Sequence, residues 1–234
     1  MRYYLAGGAV RDILLGLVPH EFDIVFDGTV KDFLLRYPNA VRVGKATPVF
    51  IVDGYEYMPL YDTIQKDLIA RDLTINALLM ADTGRIHALP ETFDDLRNGR
   101  IRHVSACSFP ADPVRVFRAA RFSATLPGFS IVPETLHHMR QTAALPAFAT
   151  IAPERVGKEC IKAMSGHTPG NFFRSLARAD SLSPWFCFIS THFFPPHMKT
   201  LEVSDSHAIG VKDAFVYAIP KLSHLVLNIL FNEL

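Results

Sequence analysis

The sequence predicts an α+β protein in which a small mixed sheet with helices precedes an all-helical region. Three observations carry this prediction. The chain opens on a strand, a glycine turn and a helix, and a hairpin pattern centred on Asp53 and Gly54 follows. After Asp112 the strand pattern gives way to apolar residues at helical spacing, so we expect one domain with an appendage or two small domains.

The individual elements follow from alternating apolar residues and from turn signals. In the first region we predict strands at residues 3–6 and 22–26, a hairpin of residues 48–52 and 55–58, helices at residues 9–15 and 73–80, and a short hairpin near Gly84. This region ends close to His103. In the second region we predict helices separated by turns at residues 126–128, 168–170 and 194–196, with a last helix over residues 213–234 that is interrupted near Pro220.

Composition and charge exclude several classes of protein. With 49% hydrophobic and 20% charged residues the chain is neither disordered nor fibrous, and 24 Lys+Arg against 23 Asp+Glu mean that a polyanion must be held by a local basic face. Cys107, Cys160 and Cys187 lack the spacing of a disulfide framework or a zinc cluster. Without a signal peptide or an apolar stretch of about 20 residues, we expect a soluble cytoplasmic protein that enters no membrane.

Two acidic residues lie two positions apart at the start of the second predicted strand. Because side chains alternate along a strand, Glu21 and Asp23 point to the same face and can share divalent cations. Glu56 supplies a third carboxylate if its strand pairs beside this one. Three oxygen ligands suit Mg²⁺ bound together with a substrate's phosphates. The plainer interpretation is that the two acids only end a loop.

A glycine pair lies between the first strand and the first helix. Gly7 and Gly8 leave backbone N–H groups open to an anion, and the dipole of the helix adds to the attraction. A double glycine before a helix also serves simply as a tight turn. Together with the acidic pair that follows, the glycine turn predicts a site for a triphosphate and Mg²⁺.

Four separated parts of the chain resemble a known family in the same order. They read LAGGAVRDILLG with EFDIV, RDLTINAL, DPVRVFRAARF and PERVGKE, at residues 5–25, 71–78, 112–122 and 153–159. The family comprises the class II tRNA nucleotidyltransferases, or CCA-adding enzymes, and the bacterial poly(A) polymerases. The resemblance implies a polymerase β-like nucleotidyltransferase head over residues 1–105, a helical neck with a base template over residues 106–180, and a shortened helical body over residues 181–234.

The same resemblance implies roles for individual residues. Glu21 and Asp23 hold two Mg²⁺ ions, Glu56 is the third acidic position, and Asp72 is a candidate acceptor for the ribose 2′-hydroxyl. The implied nucleotide-binding residues are Gly7, Gly8, Arg11, Arg71, Asp72, Asn76, Asp112, Arg115, Arg118 and Arg121. For Arg71 and Asp72 the alternative is a surface ion pair at the start of a helix.

Asp112 and Arg115 match the pair that the family uses as a protein template for the incoming base. Residues i and i+3 of a helix share a face, so a carboxylate and a guanidinium can meet one base edge. This pair accepts adenine or cytosine and repels guanine or uracil. Asp112 before Pro113 is equally typical of a helix N-cap.

Two further arginines and a block that resembles the last block of the family complete the implied neck. Arg118 and Arg121 either contact the triphosphate or the primer backbone, or they are solvated charges of a helix. Glu154 and Arg155 belong to a block whose ion-paired residues brace the helices around the template.

The sequence departs from the family pattern at several positions. Glu21 replaces the usual Asp, Ala70 replaces a second Arg, and Ala111 replaces an acidic residue. The segment between Glu56 and Arg71 is shorter than the mobile loop that relatives use to change from C to A addition. The chain also stops soon after the neck. These departures leave open whether C-C-A, C-C or A is added.

We therefore expect a template-independent nucleotidyltransferase that adds AMP or CMP, from ATP or CTP, to the 3′ end of an RNA, with tRNA as the acceptor. Two alternatives stay open: a poly(A) polymerase that uses the same site, and a non-catalytic RNA-binding remnant of the family. The apolar face of residues 222–230 either packs on the preceding helices or forms a homodimer.

Overall fold

The structure is a computed structural model that describes residues 1–44 and 48–186. The chain divides into two compact units between Ser108 and Phe109. The first unit combines a mixed sheet with helices, and the described part of the second is almost entirely helical. This architecture confirms the predicted fold class.

A seven-stranded mixed sheet forms the first unit. Its strands are β1 (Arg2–Ala6), β2 (Asp23–Asp27), β3 (Val41–Val43), β4 (Val49–Val52), β5 (Tyr55–Pro59), β6 (Leu78–Ala81) and β7 (Ile86–Ala88). They lie in the order β3-β4-β5-β2-β1-β6-β7, and β2 and β5 are the one parallel pair among them. β4 and β5 form the predicted hairpin, because Asp53 and Gly54 adopt the positive φ values, 51° and 84°, that a tight two-residue turn requires.

Helices cover both faces of this sheet. The helices of the first unit are α1 (Gly8–Leu14), α2 (Val30–Arg36), α3 (Ile64–Ala70) and α4 (Thr92–Arg97), and a two-residue strand β8 (Arg100–Ile101) follows. Phe33 of α2 stacks on Phe26, with 4.3 Å between the ring centroids. Leu68 of α3 lies in a separate core cluster with Val25. Since Val25 and Phe26 are consecutive in β2, these two clusters lie on opposite faces.

The helix predicted over residues 73–80 is wrong. The segment forms a 3-10 turn, Thr74–Asn76, followed by β6, and the nearest helix is the earlier α3. Leu78 and Leu79 are both fully buried, so β6 shows no apolar–polar alternation. A short continuous apolar run of this kind cannot be distinguished from a buried helix by its period. The hairpin predicted near Gly84 is confirmed by the pairing of β6 with β7.

From the division onward the described residues are mainly helical, as predicted. The helices are α5 (Ser108–Ala111), α6 (Arg115–Thr125), α7 (Pro133–Ala143), α8 (Pro146–Ala149), α9 (Pro153–Met164) and α10 (Gly170–Arg178), with a two-residue strand β9 (Ser130–Ile131). Phe117 of α6 is fully buried and stacks on Phe148 at 5.1 Å. The predicted turns at residues 126–128 and 168–170 lie between helices. The turn at residues 194–196 and the helix at residues 213–234 lie outside the described residues.

The close approach of two backbones gives a testable prediction for the second unit. A Cβ added at Gly166 would lie 2.6 Å from the Ala124 carbonyl oxygen, and this backbone atom cannot move aside cheaply. We expect Gly166→Ala to lower the free energy of unfolding by about 1–3 kcal/mol, the usual range for overpacking. Urea denaturation followed by the fluorescence of Trp185, whose indole N–H donates to the Phe148 carbonyl, measures this change.

Gly170→Ala is the matched control for this substitution. A Cβ at Gly170 meets nothing within 4 Å, and the residue is the first of α10. We expect its stability to be unchanged or raised by up to about 1 kcal/mol, because Ala favours a helix over Gly. Equal urea midpoints for the Gly166→Ala variant and the wild type would contradict the steric argument.

The described cysteines form no disulfide with each other. Cys107 is exposed and Cys160 is buried, and both thiols are free. Burial raises the pKa of the Cys160 thiol to about 12, so this thiol stays protonated and unreactive near neutral pH. Cys187 lies outside the described residues. Among the helices that the structure describes, none is both long and apolar enough to cross a membrane.

Candidate active site

Four strand ends meet at one edge of the sheet in the first unit. Ala6, the last residue of β1, is in register with Asp23, the first residue of β2. Asp23 is in register with Glu56 of β5, and Ala6 with Leu79 of β6. Residues that follow β1, or that precede β2, β5 and β6, therefore lie along this edge.

Asp23 and Glu56 lie side by side at this edge. Residues in register on neighbouring strands point to the same face, so the two carboxylates share one surface of the sheet. The pairing confirms the condition under which Glu56 adds a carboxylate to the predicted pair. Glu21, in contrast, precedes β2 and is exposed. Because β2 begins at Asp23, Glu21 lies just outside the strand, and its alignment with Asp23 stays a prediction.

The donor atoms at this edge suit a divalent cation. The described residues contain no group of three or more His, Cys, Asp or Glu side chains arranged to hold a metal ion. The register nevertheless brings two carboxylates, those of Asp23 and Glu56, next to each other. Mg²⁺ is commonly bound by one or two carboxylates together with substrate phosphates and water, so this donor set fits it.

Gly7 joins β1 to α1 with a backbone that favours glycine, at a φ of 62°. Its N–H donates to the Leu78 carbonyl at 2.9 Å, so the prediction that this amide is open to an anion is wrong. A Cβ at Gly7 would lie 3.1 Å from Arg71 Nη1, and one at Gly8 would lie 3.4 Å from Arg11 Nη2. The two glycines therefore allow two guanidinium groups to approach the backbone.

Arg11 is buried at the centre of a polar network. Its Nη1 donates to Asn76 Oδ1 at 2.6 Å, and its Nε and Nη2 donate to Asp12 Oδ1 at 2.9 and 2.7 Å. Asn76 Nδ2 donates in turn to Asp72 Oδ1 at 3.2 Å, and the same oxygen accepts the Leu73 N–H at 2.9 Å. Three predicted nucleotide-binding residues are thus linked directly.

Arg71 reaches the same place from the end of α3. Its Nε and Nη2 donate to Asp67 Oδ2 at 3.1 and 2.9 Å, and its Nη1 donates to the Asn76 carbonyl at 3.4 Å. The alternative of a surface ion pair with Asp72 is wrong, because Asp72 is buried and the ion-pair partner of Arg71 is Asp67. We call the set that meets here the arginine corner: Gly7, Gly8, Arg11, Arg71, Asp72 and Asn76.

Asp112 lies between α5 and α6 and pairs with an arginine of α9 in the second unit. Arg155 Nη1 donates to Asp112 Oδ1 at 3.0 Å and Nη2 donates to Oδ2 at 2.7 Å, which is a forked, two-point pair. Arg155 is therefore ion-paired, as predicted. The N-cap alternative for Asp112 is wrong, because α6 begins at Arg115 and Val114 occupies the cap position. The Arg115 N–H donates to the Asp112 carbonyl at 3.0 Å, which keeps these two residues one turn apart.

Arg118 and Arg121 both meet one carboxylate of α9. Arg121 Nε donates to Glu159 Oε2, and Arg118 Nη1 lies 3.6 Å from Glu159 Oε1. Glu159 is buried, and the Arg121 side chain is 12% exposed, so Arg121 is not a solvated helix charge. The three side chains join α6 to α9.

Sequence reasoning missed the acidic partners that hold the arginine corner. Asp12 directly follows Arg11, and Asp67 precedes Arg71 by four residues. Opposite charges four residues apart pair on a helix, so the Asp67–Arg71 spacing was a signal for this contact. The partner of Asp112, far along the chain at Arg155, had no such local signal.

Comparison with known proteins finds poly(A) polymerase and CCA-adding sequences. Residues 3–46 match the model of the poly A polymerase head domain. The chain is 37% identical to the multifunctional CCA protein of Tolumonas auensis over 206 residues. This aligned region covers 78% of this chain and 50% of that protein. The chain is 35% identical over 229 residues to the CCA-adding enzyme of Actinobacillus succinogenes, which covers 86% and 56%. The chain thus spans about half the length of these relatives.

Solved structures show the same similarity. The Thermotoga maritima CCA-adding enzyme complexed with tRNA has a TM-score of 0.68 and 27% identity, covering 83% of this chain and 50% of that chain. The Bacillus stearothermophilus CCA-adding enzyme in complex with CTP has a TM-score of 0.68 and 30% identity, covering 76% and 48%.

Proposed function

Because this chain belongs to the class II family of CCA-adding enzymes and bacterial poly(A) polymerases, we propose that it transfers AMP or CMP to the 3′ end of an RNA. ATP and CTP are the proposed nucleotide substrates and tRNA is the proposed acceptor. One observation supports the proposal: Asp23 and Glu56 lie in register at the sheet edge where the arginine corner begins at Gly7.

Glu21 and Asp23 are the proposed Mg²⁺ ligands, and Glu56 is the proposed third carboxylate. When bound with the nucleotide, the cation supplies Lewis-acid activation of the RNA 3′-hydroxyl and neutralises charge on the departing pyrophosphate. Asp23 and Glu56 extend from paired strands, so their separation is fixed by the sheet. Glu21 lies before the strand and adds a longer side chain to the set.

The arginine corner is the proposed site for the triphosphate and the ribose. Asp12 and Asp67 fix the guanidinium groups of Arg11 and Arg71, so these groups lose little side-chain freedom when phosphate binds. Asp72 is the proposed acceptor for the ribose 2′-hydroxyl. An ionised carboxylate has about four acceptor positions, and the described bonds from Asn76 and Leu73 both go to Oδ1.

Asp112 and Arg115 are the proposed base template, in a neck over residues 106–180 that joins a head over residues 1–105 to a body over residues 181–234. The fork from Arg155 takes one lone pair of each Asp112 oxygen. An ionised carboxylate has about four acceptor positions, so the amino group of adenine or cytosine can still donate to it. Arg155 thus orients the carboxylate and leaves it able to accept.

The connection from β5 to α3 favours C addition over A addition. The Tyr61 N–H donates to Asp67 Oδ1 at 3.3 Å, and the Thr63 hydroxyl accepts the Lys66 N–H at the start of α3. This short, anchored segment stands where the family carries a longer mobile loop. We therefore expect faster transfer of CMP than of AMP.

Single-turnover assays test the proposed function. The full chain is mixed with Mg²⁺ and one labelled nucleotide at a time, on tRNA that ends before or after the C-C and on a generic oligoadenylate, and the products are sized on a gel. We expect CMP to be added to tRNA that lacks its terminus. Long adenylate tails on the oligoadenylate would favour poly(A) polymerase, and calorimetric binding of ATP and Mg²⁺ without incorporation would favour a non-catalytic remnant.

A further inference from the structure

The 3-10 turn that contains Asn76 is fixed by hydrogen bonds between Thr74 and residues 92–102. Within the 3-10 turn, the Thr74 N–H donates to the Arg102 carbonyl at 2.9 Å, and the Thr74 carbonyl accepts the Thr92 hydroxyl at 3.0 Å. The Thr74 hydroxyl donates to Asp95 Oδ2 at 2.7 Å. Thr74 is 2% exposed and Thr92 is fully buried, so these bonds are shielded from water.

Asp95 is a buried carboxylate at the centre of this contact. It is 1% exposed on α4, and it accepts Arg102 Nε at 3.0 Å in addition to the Thr74 hydroxyl. A buried charge is tolerated only when it is paired and hydrogen-bonded, and Asp95 meets both conditions. Replacing such a buried ion pair with apolar residues is often neutral or stabilising, so stability alone does not explain why a charged residue is found at position 95.

The geometry of the 3-10 turn explains the buried Asp95 better than stability does. Thr74 lies two residues from Asp72 and two residues from Asn76, the two residues of the arginine corner that bond to each other. The Val104 N–H donates to the Asp72 carbonyl at 3.2 Å, so both sides of Thr74 are fixed by residues 92–104. Because hydrogen bonds are directional, they set the rotation of the turn, on which the 2.6 Å bond from Arg11 to Asn76 depends.

We propose that Asp95 is a positioning residue for nucleotide binding, acting through the Thr74 hydroxyl on Asp72 and Asn76. This inference rests on the proposed function of the arginine corner. Asp95 itself lies behind the turn and binds no substrate. Its contribution is to hold the ribose- and phosphate-binding groups in one orientation before the nucleotide arrives.

Paired substitutions of Thr74 separate the hydroxyl from the packing. Thr74→Val keeps the shape and removes the hydroxyl, and we expect it to weaken the binding of ATP and Mg²⁺ about tenfold, the effect of one lost buried hydrogen bond to a charged group. Thr74→Ser keeps the hydroxyl and is expected to bind like the wild type. Asp95→Asn, which removes the charge and keeps the size, is expected to weaken binding in the same direction as Thr74→Val.

The control is Asp94→Asn on the same helix. Asp94 is exposed and pairs with Arg100 at the surface, so we expect neither binding nor local order to change. Calorimetric titration with ATP and Mg²⁺ gives the dissociation constants at a temperature where urea denaturation shows every variant to be folded. Amide hydrogen exchange at residues 72–77, without nucleotide, is expected to be faster in Thr74→Val and unchanged in Thr74→Ser and Asp94→Asn.

The outcomes distinguish this inference from the proposed function. Unchanged exchange at residues 72–77 in Thr74→Val, or wild-type affinity in both Thr74→Val and Asp95→Asn, overturns the positioning role. Equal effects in Asp94→Asn overturn it as well, because the change would then be general to α4. A wild-type chain that binds no nucleotide overturns the proposed function, while the exchange measurement still decides whether Asp95 orders the turn.

Discussion

Asp23→Asn is expected to reduce nucleotide transfer by about a thousandfold or more, since a metal ion contributes several kcal/mol of transition-state stabilisation and about 1.4 kcal/mol corresponds to a factor of ten. The substitution keeps the size of the side chain and removes the charge that binds the cation. Asp23 is the first residue of β2 and is half-buried beside Glu56. Single-turnover incorporation of labelled CMP into tRNA that lacks its terminus measures the effect.

Asp27→Asn is the matched control in the same strand. Asp27 lies four residues further along β2, on the same face as Asp23, and pairs with the exposed Arg2. A surface ion pair contributes little, so we expect this variant to transfer CMP at the wild-type rate. Circular dichroism confirms that both variants are folded. Undiminished transfer by Asp23→Asn would remove this residue from the proposed site.

Local signals predicted one part of the sheet edge and long-range pairing supplied the rest. The Asp53-Gly54 turn predicted the β4–β5 hairpin, because few two-residue sequences adopt positive φ twice. That turn also fixes the phase of Glu56 in its strand. The parallel pairing of β5 with β2 joins residues that no local pattern connects. From the sequence, the place of Glu56 beside Asp23 could therefore be predicted only on the condition that these strands pair.

The arginine corner shows the same division between local and distant information. The resemblance to the family placed Arg11, Arg71, Asp72 and Asn76 in one site, and their hydrogen bonds bring them together. The predicted helix over residues 73–80 was wrong because the corner depends on a tight turn fixed by residues 92–104. Burial of β6 on both faces erased the alternation that would have marked its strand.

The proposed base template of the second unit was ambiguous in the sequence, because Asp112 fits two local patterns. Asp112 before Pro113 has the sequence of a helix start, and Asp112 with Arg115 has the spacing of a base-reading pair. The structure removes the first interpretation, since the Asp112 carboxylate is turned to Arg155. The choice between the two interpretations depended on Arg155 in α9, and residues adjacent to Asp112 carry no information about this partner.

Asp112→Ala is expected to relax the preference for C and A over U and G by about 10- to 100-fold, the value of one charge-assisted hydrogen bond of 1.5–3 kcal/mol. Without the carboxylate, the carbonyl oxygen of uracil or guanine no longer meets a negative acceptor. Single-turnover transfer of each of the four nucleotides measures the change. Glu134→Ala, which removes an exposed acid in the first turn of α7, is the control and is expected to keep the wild-type preference.

Arg155→Ala distinguishes base reading from simple bracing of the helices. Both Asp112→Ala and Arg155→Ala break the same forked pair, so a purely structural role predicts equal losses in the free energy of unfolding and an unchanged nucleotide preference in both. If the carboxylate reads the base, Arg155→Ala keeps the acceptor and retains much of the preference, whereas Asp112→Ala loses it. Equal preferences in the two variants would assign Asp112 to bracing the segment before α6 against α9 and leave base selection to other residues.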